Sequence, residues 1–391
     1  MRGRALAVTT ALVVSALAWV APPLAAQQQC APPADKVSQA AGWSLQRLAP
    51  ERVWGFSRGE STIVAVVGTG VSAASPALAG SVHSGQNLAG AGPADNDCSG
   101  RDTFIAGVIA AHPMPGTGFT GIAPGAQILP IRVTDDASKV DPGRLAAGIR
   151  QAADSGARVI AVTVGTPVAA PDLRAAVTYA LSRDALVVAA ADADAGKDAI
   201  PYPAGFPEAL AVAGIDEQGS PITSAVRPSL VAPGKNVVSI GPAGAGHLVA
   251  SAGGIGVGFV AGAAALVRDY HRDLSPAEVR HRLESTADHP STALPDPQRG
   301  YGVVNPHAAV TTVLPAESGE QPMPVRAPSV QLPSVPVVDP LPNAVALVVT
   351  TVVGAAMLTG AIAAALVRRA RKRGWRSAWN APPKDGQPAR S

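Results

Sequence analysis

Short runs that are apolar on both faces alternate with helical patterns through most of this chain, and that alternation constrains the fold more than any other feature. TIVAVVG (62–68), AQILPIRVT (126–134), ARVIAVTV (157–164), DALVVAAAD (184–192) and ALAVAGID (209–216) have strand length and no polar face. TFIAGVIAAH (103–112), PGRLAAGIRQAADSG (142–156), PDLRAAVTYALSRD (171–184), GFVAGAAALVRDYH (258–271) and SPAEVRHRLESTAD (275–288) read as helices. Pro171 opens one of them, and Ser275, Pro276 and Glu278 form a capping-box pattern at another. Strands without a polar face must be covered on both sides. The expected fold class is therefore α/β, a doubly wound parallel sheet with helices on both faces. Hydrophobic residues make up 47% of the chain but aromatics only 4%, so Ala, Gly and Val carry the core and favour close helix–sheet packing. In such sheets, function sits at the carboxyl ends of the strands. The loops to inspect follow VAVV, surround DCSGRD, follow LVVAAA and precede GFVAGAAAL.

Both ends of the chain are membrane-directed. Arg2 and Arg4 precede an apolar run from Ala5 to Val20, with small residues at Ala25 and Ala26, the layout of a signal peptide over 1–26. An uncleaved anchor is the alternative, but Pro22 and Pro23 break the run early. Residues 344–367 carry no charge, and roughly 24 residues suffice to cross a bilayer as a helix. Arg368, Arg369, Arg371, Lys372 and Arg373 follow at once and place the 368–391 tail in the cytoplasm. The main domain is then extracytoplasmic, in agreement with the signal peptide. Trp375 and Trp379 fit either the inner interface or a disordered tail. Residues 314–342 are rich in proline and read as an extended stalk, with docking onto the domain as the alternative. The remaining boundaries are an N-terminal extension at 27–45 and a folded domain at 46–313.

The formal net charge of +3 is too small to argue for nucleic acid as a partner. No metal-ligand spacing or cofactor motif is evident, so neither is expected. Cys30 and Cys98 are the only cysteines. In an exported chain they most simply form one disulfide, the other reading being two free thiols.

QRLAPERVW, GTGFTGIAPGAQILPIRV, PYPAGFPEALAV, VAPGKNVVSIGP, VAGAAALVR and GYGVVNPHAAV, in this order over roughly residues 46–310, resemble the subtilases and specifically the mycosins. These are the membrane-anchored subtilisin-like proteases of actinobacterial type VII secretion systems. The resemblance implies a subtilisin-like sheet, a secretion-complex partner and a Cys30–Cys98 bridge tying the extension over the domain.

The catalytic motifs depart from that family. Its Asp stands in a D-T-G turn, where this chain reads VAVVGTGV and places Gly68. Its His stands in D-C-D-G-H-G-T, where this chain reads DCSGRDT and places Arg101. Its nucleophile stands in G-T-S-F-A-A-P; counting back from Val260, Ala261 and Gly262 places Gly254 there and Gly258 at the Pro. Its oxyanion Asn is replaced by Ala193. Acyl transfer needs a nucleophile, a base, an orienting anion and an oxyanion donor. Gly254 and Gly68 supply no side chain, Ala193 no amide, and Arg101 stays protonated. The sequence therefore predicts no functional catalytic residue. Ser251 with His247 is the one relocated pair an active site could use.

Asp97 and Asp102 are expected to form ion pairs with Arg101. The glycines from Gly253 to Gly258 are expected to fray or delay the following helix, as simple decay of a disused site, with an anion held on the helix's free N–H groups as the alternative. The resulting expectation is a membrane-anchored pseudoprotease, a structural or stabilising subunit of a type VII secretion membrane complex. An active endopeptidase with a rearranged site, or a module that binds peptide segments in the old cleft, are the alternatives. Lipid contact would come through the C-terminal helix.

Overall fold

The structure, a computed structural model, describes residues 30–196, 198–315 and 341–373, the last segment with side chains from 345 onward. The segment expected to be a signal peptide, most of the proline-rich stretch and the tail beyond 373 lie outside the described residues. Two units result, one holding the domain and one the C-terminal helix.

The two-sided apolar runs become the strands of one parallel sheet. β1 (Ile63–Gly68), β2 (Gln86–Asn87), β3 (Gln127–Arg132), β4 (Val159–Val162), β5 (Leu186–Ala190), β6 (Leu210–Ile215) and β7 (Leu230–Pro233) line up in the order β2-β3-β1-β4-β5-β6-β7. β1 is central, pairing Val66 with Pro130 of β3 and with Ala161 of β4. Its residues Val64–Val67 are fully buried, as a strand covered on both faces must be. β2 and β3 lie on one side of β1 and β4 to β7 on the other, so the order reverses beside β1, the place where such sheets open a crevice at the carboxyl ends of their strands.

The helices are α1 (Trp43–Leu48), α2 (Arg101–Ala110), α3 (Pro142–Asp154), α4 (Pro171–Ser182), α5 (Ile255–Tyr270), α6 (Pro276–Ser285) and α7 (Pro306–Thr311). They cover both faces, α2 packing on α5 and α3 on α4. Local signals fix their starts. Asp141 accepts the Arg144 N–H ahead of Pro142, and Ser275 with Glu278 forms the expected capping box. An antiparallel hairpin of β8 (Val237–Ile240) and β9 (His247–Ala250) lies outside the main sheet.

The glycine run does not delay α5, which is helical from Ile255 onward. Its glycines are set by close packing. A Cβ on Gly258 would stand 3.0 Å from Ile105 of α2, and one on Gly262 would stand 2.8 Å from Ile122. Burial of nearly the whole of α5 in the Ala- and Val-rich core repays the poor intrinsic propensity of these residues.

The extension is tied down as the resemblance implied. Cys30 and Cys98 form a disulfide. From there the chain runs along residues 241–247, with Ala34 donating to the Ala243 carbonyl and accepting from Gly246.

The second unit is the helix α8 (Leu341–Lys372). Its segment Val345–Lys372 has a mean hydropathy of 2.2 over its most apolar window, long and apolar enough to cross a membrane.

The tight approach of α2 to β8 yields a stability test. A Cβ on Gly107 would stand 2.5 Å from Ile240 and 2.6 Å from the Ser239 hydroxyl, which donates to the Phe104 carbonyl. Gly107→Ala should cost about 1–3 kcal/mol through overpacking, outweighing the roughly 1 kcal/mol that Ala gains in helix propensity. Chemical unfolding of the detergent-solubilised chain measures this. Gly354→Ala, at a helical position with nothing within 4 Å, should leave the domain transition unmoved.

Candidate functional site

The carboxyl ends of β1, β4 and β5 meet the starts of α2 and α5, and the predicted site positions converge there. Gly68 is the last residue of β1, Arg101 the first of α2, and Gly254 the residue before α5. Ala193 follows β5 by three residues and packs against Gly165, whose Cβ would stand 3.1 Å from its own.

The space at this junction is filled by a pair of side chains on α2. Asp102 is fully buried. Its Oδ1 accepts from Arg101 Nη1 at 3.0 Å and its Oδ2 from the Thr69 N–H at 2.5 Å. A Cβ on Gly68 would stand 1.9 Å from Asp102 Oδ2 and 2.4 Å from Thr163 Oγ1. The Asp102 carboxylate thus occupies the volume into which a side chain at 68 would point. The absence of a side chain at Gly68 leaves room for this carboxylate.

Arg101 spans the gap to α5. Its Nη2 donates to the Thr163 carbonyl at 2.8 Å and to the Gly253 carbonyl at 2.7 Å. A Cβ on Gly254 would stand 2.9 Å from that Nη2 and 2.6 Å from the Thr163 oxygen. Gly254 also has φ +87°, a conformation that L side chains rarely adopt. A side chain at 254 would therefore be strained by its own backbone and crowded by the Thr163 carbonyl, and Arg101 would have to shift.

Asp97 does not join the ion pair, contrary to expectation. One of its carboxylate oxygens accepts the Thr103 N–H and hydroxyl, both at 2.9 Å, and the other accepts the hydroxyls of Ser99 and Thr69. It satisfies a free donor in the first turn of α2. The anion suited to the start of α5 is Asp192, a member of the chain itself. Its Oδ1 accepts the Gly254 N–H and its Oδ2 the Gly214 N–H, each at 2.8 Å. Burial pushes both carboxyls above the ordinary range. Arg101 opposes the rise at Asp102, and the Gly254 and Gly214 N–H groups oppose it at Asp192.

Ser251 and His247 do not form a pair. The Ser251 hydroxyl accepts the Asn236 N–H at 2.9 Å and lies 3.3 Å from the Asn236 carboxamide, whereas His247 Nδ1 accepts the Ser38 N–H at 3.1 Å.

Two cavities flank the plug. One of about 280 Å³ is lined by Arg101, Phe104, Ile105, Leu248, Val249 and Ile255 among others. The other, of about 370 Å³, includes Asp192, Ala193, Asp198, Pro201, Thr223 and Ser224 in its wall. Among the described residues no cluster of His, Cys, Asp and Glu could hold a metal ion.

Asp102 and Asp192 are the residues that sequence reasoning undervalued. The signal for Asp102 was present: DCSGRDT sets an Asp directly after Arg101, while the VVGTG turn that ends β1 offers no carboxylate of its own.

A sequence profile described as the Subtilase family matches residues 59–303. The chain belongs to the subtilase family. It is 33% identical to thermitase of Thermoactinomyces vulgaris over 66% of this chain and 91% of that protein. It is 29% identical to mycosin-1 of Mycobacterium tuberculosis over 85% of each. Among solved structures, a chain of the periplasmic assembly from the ESX-5 inner membrane complex superposes with a TM-score of 0.64 at 29% identity, covering 79% of this chain and 94% of that one. The mycosin likeness thus reaches beyond the segment that the Subtilase profile matches.

The steric exchange between positions 68 and 102 is open to a double-mutant cycle. Asp102→Gly, which strands the Arg101 cation, should cost about 3 kcal/mol. Gly68→Asp, which drives a second carboxylate into the first, should cost at least about 2 kcal/mol. The double variant returns one carboxylate to β1 and should recover most of the loss, a coupling visible in urea unfolding midpoints.

Asp192 gives a pH test. A carboxyl whose folded pKa is raised binds its proton more tightly in the folded state, so its contribution to stability falls as pH climbs above the unfolded value of about 3.9. Asp192→Asn lacks that slope, and its stability relative to the parent chain should improve between pH 4 and pH 7 in paired urea titrations.

Proposed function

We propose that this chain is a membrane-anchored subtilase without catalytic activity, acting as a structural or stabilising component of a type VII secretion membrane complex. One observation carries the reading. The Arg101 guanidinium, paired with Asp102, occupies the place where nucleophile, base and orienting carboxylate would have to meet.

Subtilase chemistry requires a hydroxyl that gives its proton to a neighbouring base as it attacks a carbonyl. Arg101 is a permanent cation and cannot take that proton. Gly254 has no hydroxyl, and its N–H, a candidate donor to an oxyanion, is spent on Asp192. Ala193 adds no amide on the other side. Loss of the serine or histidine alone removes on the order of a million-fold in rate in such a site, and here no member remains.

The partner assignment rests on likeness to the ESX-5 periplasmic assembly and to mycosin-1. The anchor assignment rests on α8 and on the cations after it. In this reading residues 1–26 direct export and are removed, and the domain at 46–313 faces outward. Residues 314–342 act as a stalk, 344–367 span the membrane, and 368–391 remain in the cytoplasm.

A second reading, capture of peptide segments without cleavage, draws support from the apolar cavity beside Arg101, large enough for one or two side chains.

The test uses native membranes with the anchor intact. A fluorophosphonate probe should label the chain no more than it labels a Ser251→Ala variant, and the tagged chain should co-purify with other membrane components of a type VII secretion complex. Labelling that Ser251→Ala abolishes would overturn the catalytic half of the proposal. Recovery of the chain free of such components would overturn the structural half.

A further inference from the structure

Among the described residues, the extension between Cys30 and α1 is held to the domain mostly by backbone bonds. Ala31 donates to the Cys98 carbonyl, Ala34 to Ala243, Gly246 to Ala34, His247 to Lys36, and Gly118 to Ser38. Two side chains add to these. The Gln46 carboxamide donates to the Ala41 carbonyl at 2.7 Å, and the ring nitrogen Nδ1 of His247 accepts the Ser38 N–H at 3.1 Å. Apart from Ala34 the extension buries little, and Val37 is 47% exposed. A segment with few apolar contacts and several solvent-facing backbone bonds opens at a small free-energy cost.

An imidazole nitrogen accepts a hydrogen bond only while it carries no proton. We infer that His247 is a pH-sensitive latch, and that its protonation releases the Lys36–Ala41 part of the extension while the Cys30–Cys98 bridge keeps the chain tethered at its other end. In the closed form, the His247 backbone N–H and ring hold the extension at two successive points, the Lys36 carbonyl and the Ser38 N–H. Proton uptake turns the second from attraction into donor facing donor.

The surroundings offer little to offset that charge. The extension contributes Asp35 and Lys36, one of each sign. His112 lines the same small cavity and is bonded through Nε2 to the Ser81 hydroxyl at 2.7 Å. Neither β8, nor residues 241–246, nor residues 113–119 carry any charged group. Burial accordingly holds His247 below the usual imidazole value. For a group whose folded pKa is depressed, the stabilisation is present above about pH 6.5 and is lost as pH falls through the folded pKa.

Hydrogen exchange on the full chain in detergent, with each rate divided by its intrinsic rate at the same pH, tests the latch. Between pH 7.5 and pH 5, protection in peptides covering 36–41 and 116–120 should fall about tenfold, while peptides of β1 and β4 stay unchanged. His247→Asn, whose carboxamide oxygen accepts without titrating, should hold protection at both pH values. Ser38→Pro, which deletes the donor, should show the open level at both. Protection of the parent chain that does not change with pH would overturn the latch. So would an equal fall in His247→Asn, or a remaining pH step in Ser38→Pro.

Discussion

The ion pair of Arg101 and Asp102 organises the carboxyl end of the sheet. Through Asp102 it fixes the turn after β1, through the Thr163 carbonyl it fixes the end of β4, and through the Gly253 carbonyl it fixes the entry to α5. Each of these backbone groups sits where a crevice would otherwise leave it in part without a partner, and an unpaired buried polar group costs about 1–3 kcal/mol. The pair itself is not a large net source of stability, since taking two charges out of water costs much of what their attraction returns. Its effect is to make the arrangement specific. With Arg101 removed, the fully buried Asp102 carboxylate loses its cationic partner, whereas Arg101 without Asp102 keeps the Thr163 and Gly253 carbonyls as acceptors.

That dependence changes how the missing catalytic side chains should be understood. A site decaying at random would lose its members independently, each leaving a void or an exposed loop. Here the absences fit one another. Gly68 is bare because the Asp102 carboxylate stands 1.9 Å from where its Cβ would be, and Gly254 is bare because Arg101 Nη2 stands 2.9 Å from its own. Asp192 takes up the Gly254 N–H at the start of α5, so the end of that helix is satisfied from within. The junction is a polar core whose Arg101, Asp102 and Asp192 groups are hydrogen-bonded to the surrounding backbone.

Much of this was legible in the sequence, and the part that was not has identifiable causes. The strands β1, β3, β4, β5 and β6 and the helices α2 to α6 announce themselves through two-sided apolar runs, helical spacing and caps such as Ser275 with Glu278. β2 was missed because it is two residues long, and β9 because none of its residues is buried, so it signals no buried face; β7, no shorter than β4, was missed with the β8–β9 hairpin because neither was separated from its Pro- and Gly-rich surroundings. The start of α5 was placed too late because propensity counts four glycines as a penalty, whereas contacts with Ile105 and Ile122, distant in sequence, make small residues there a requirement. The identities of the emptied positions were readable from motif frames. What filled them was not. Asp97 and Asp102 look equivalent beside Arg101 in a linear string, and only the path of α2 decides that one faces the sheet and the other caps the helix.

The same geometry sets how far the chain stands from an active enzyme. A serine at 254 would need the Arg101 guanidinium to leave and the φ of +87° to be surrendered. The guanidinium cannot leave without stranding the Asp102 carboxylate, and that carboxylate cannot be exchanged for one at 68 until Asp102 is gone. A histidine at 101 would then still face an α5 start whose N–H is engaged by Asp192. The proposed non-catalytic reading therefore rests on coupled contacts at the end of β1 rather than on any one residue, and in that reading the surface of the domain and its anchor are what function draws on.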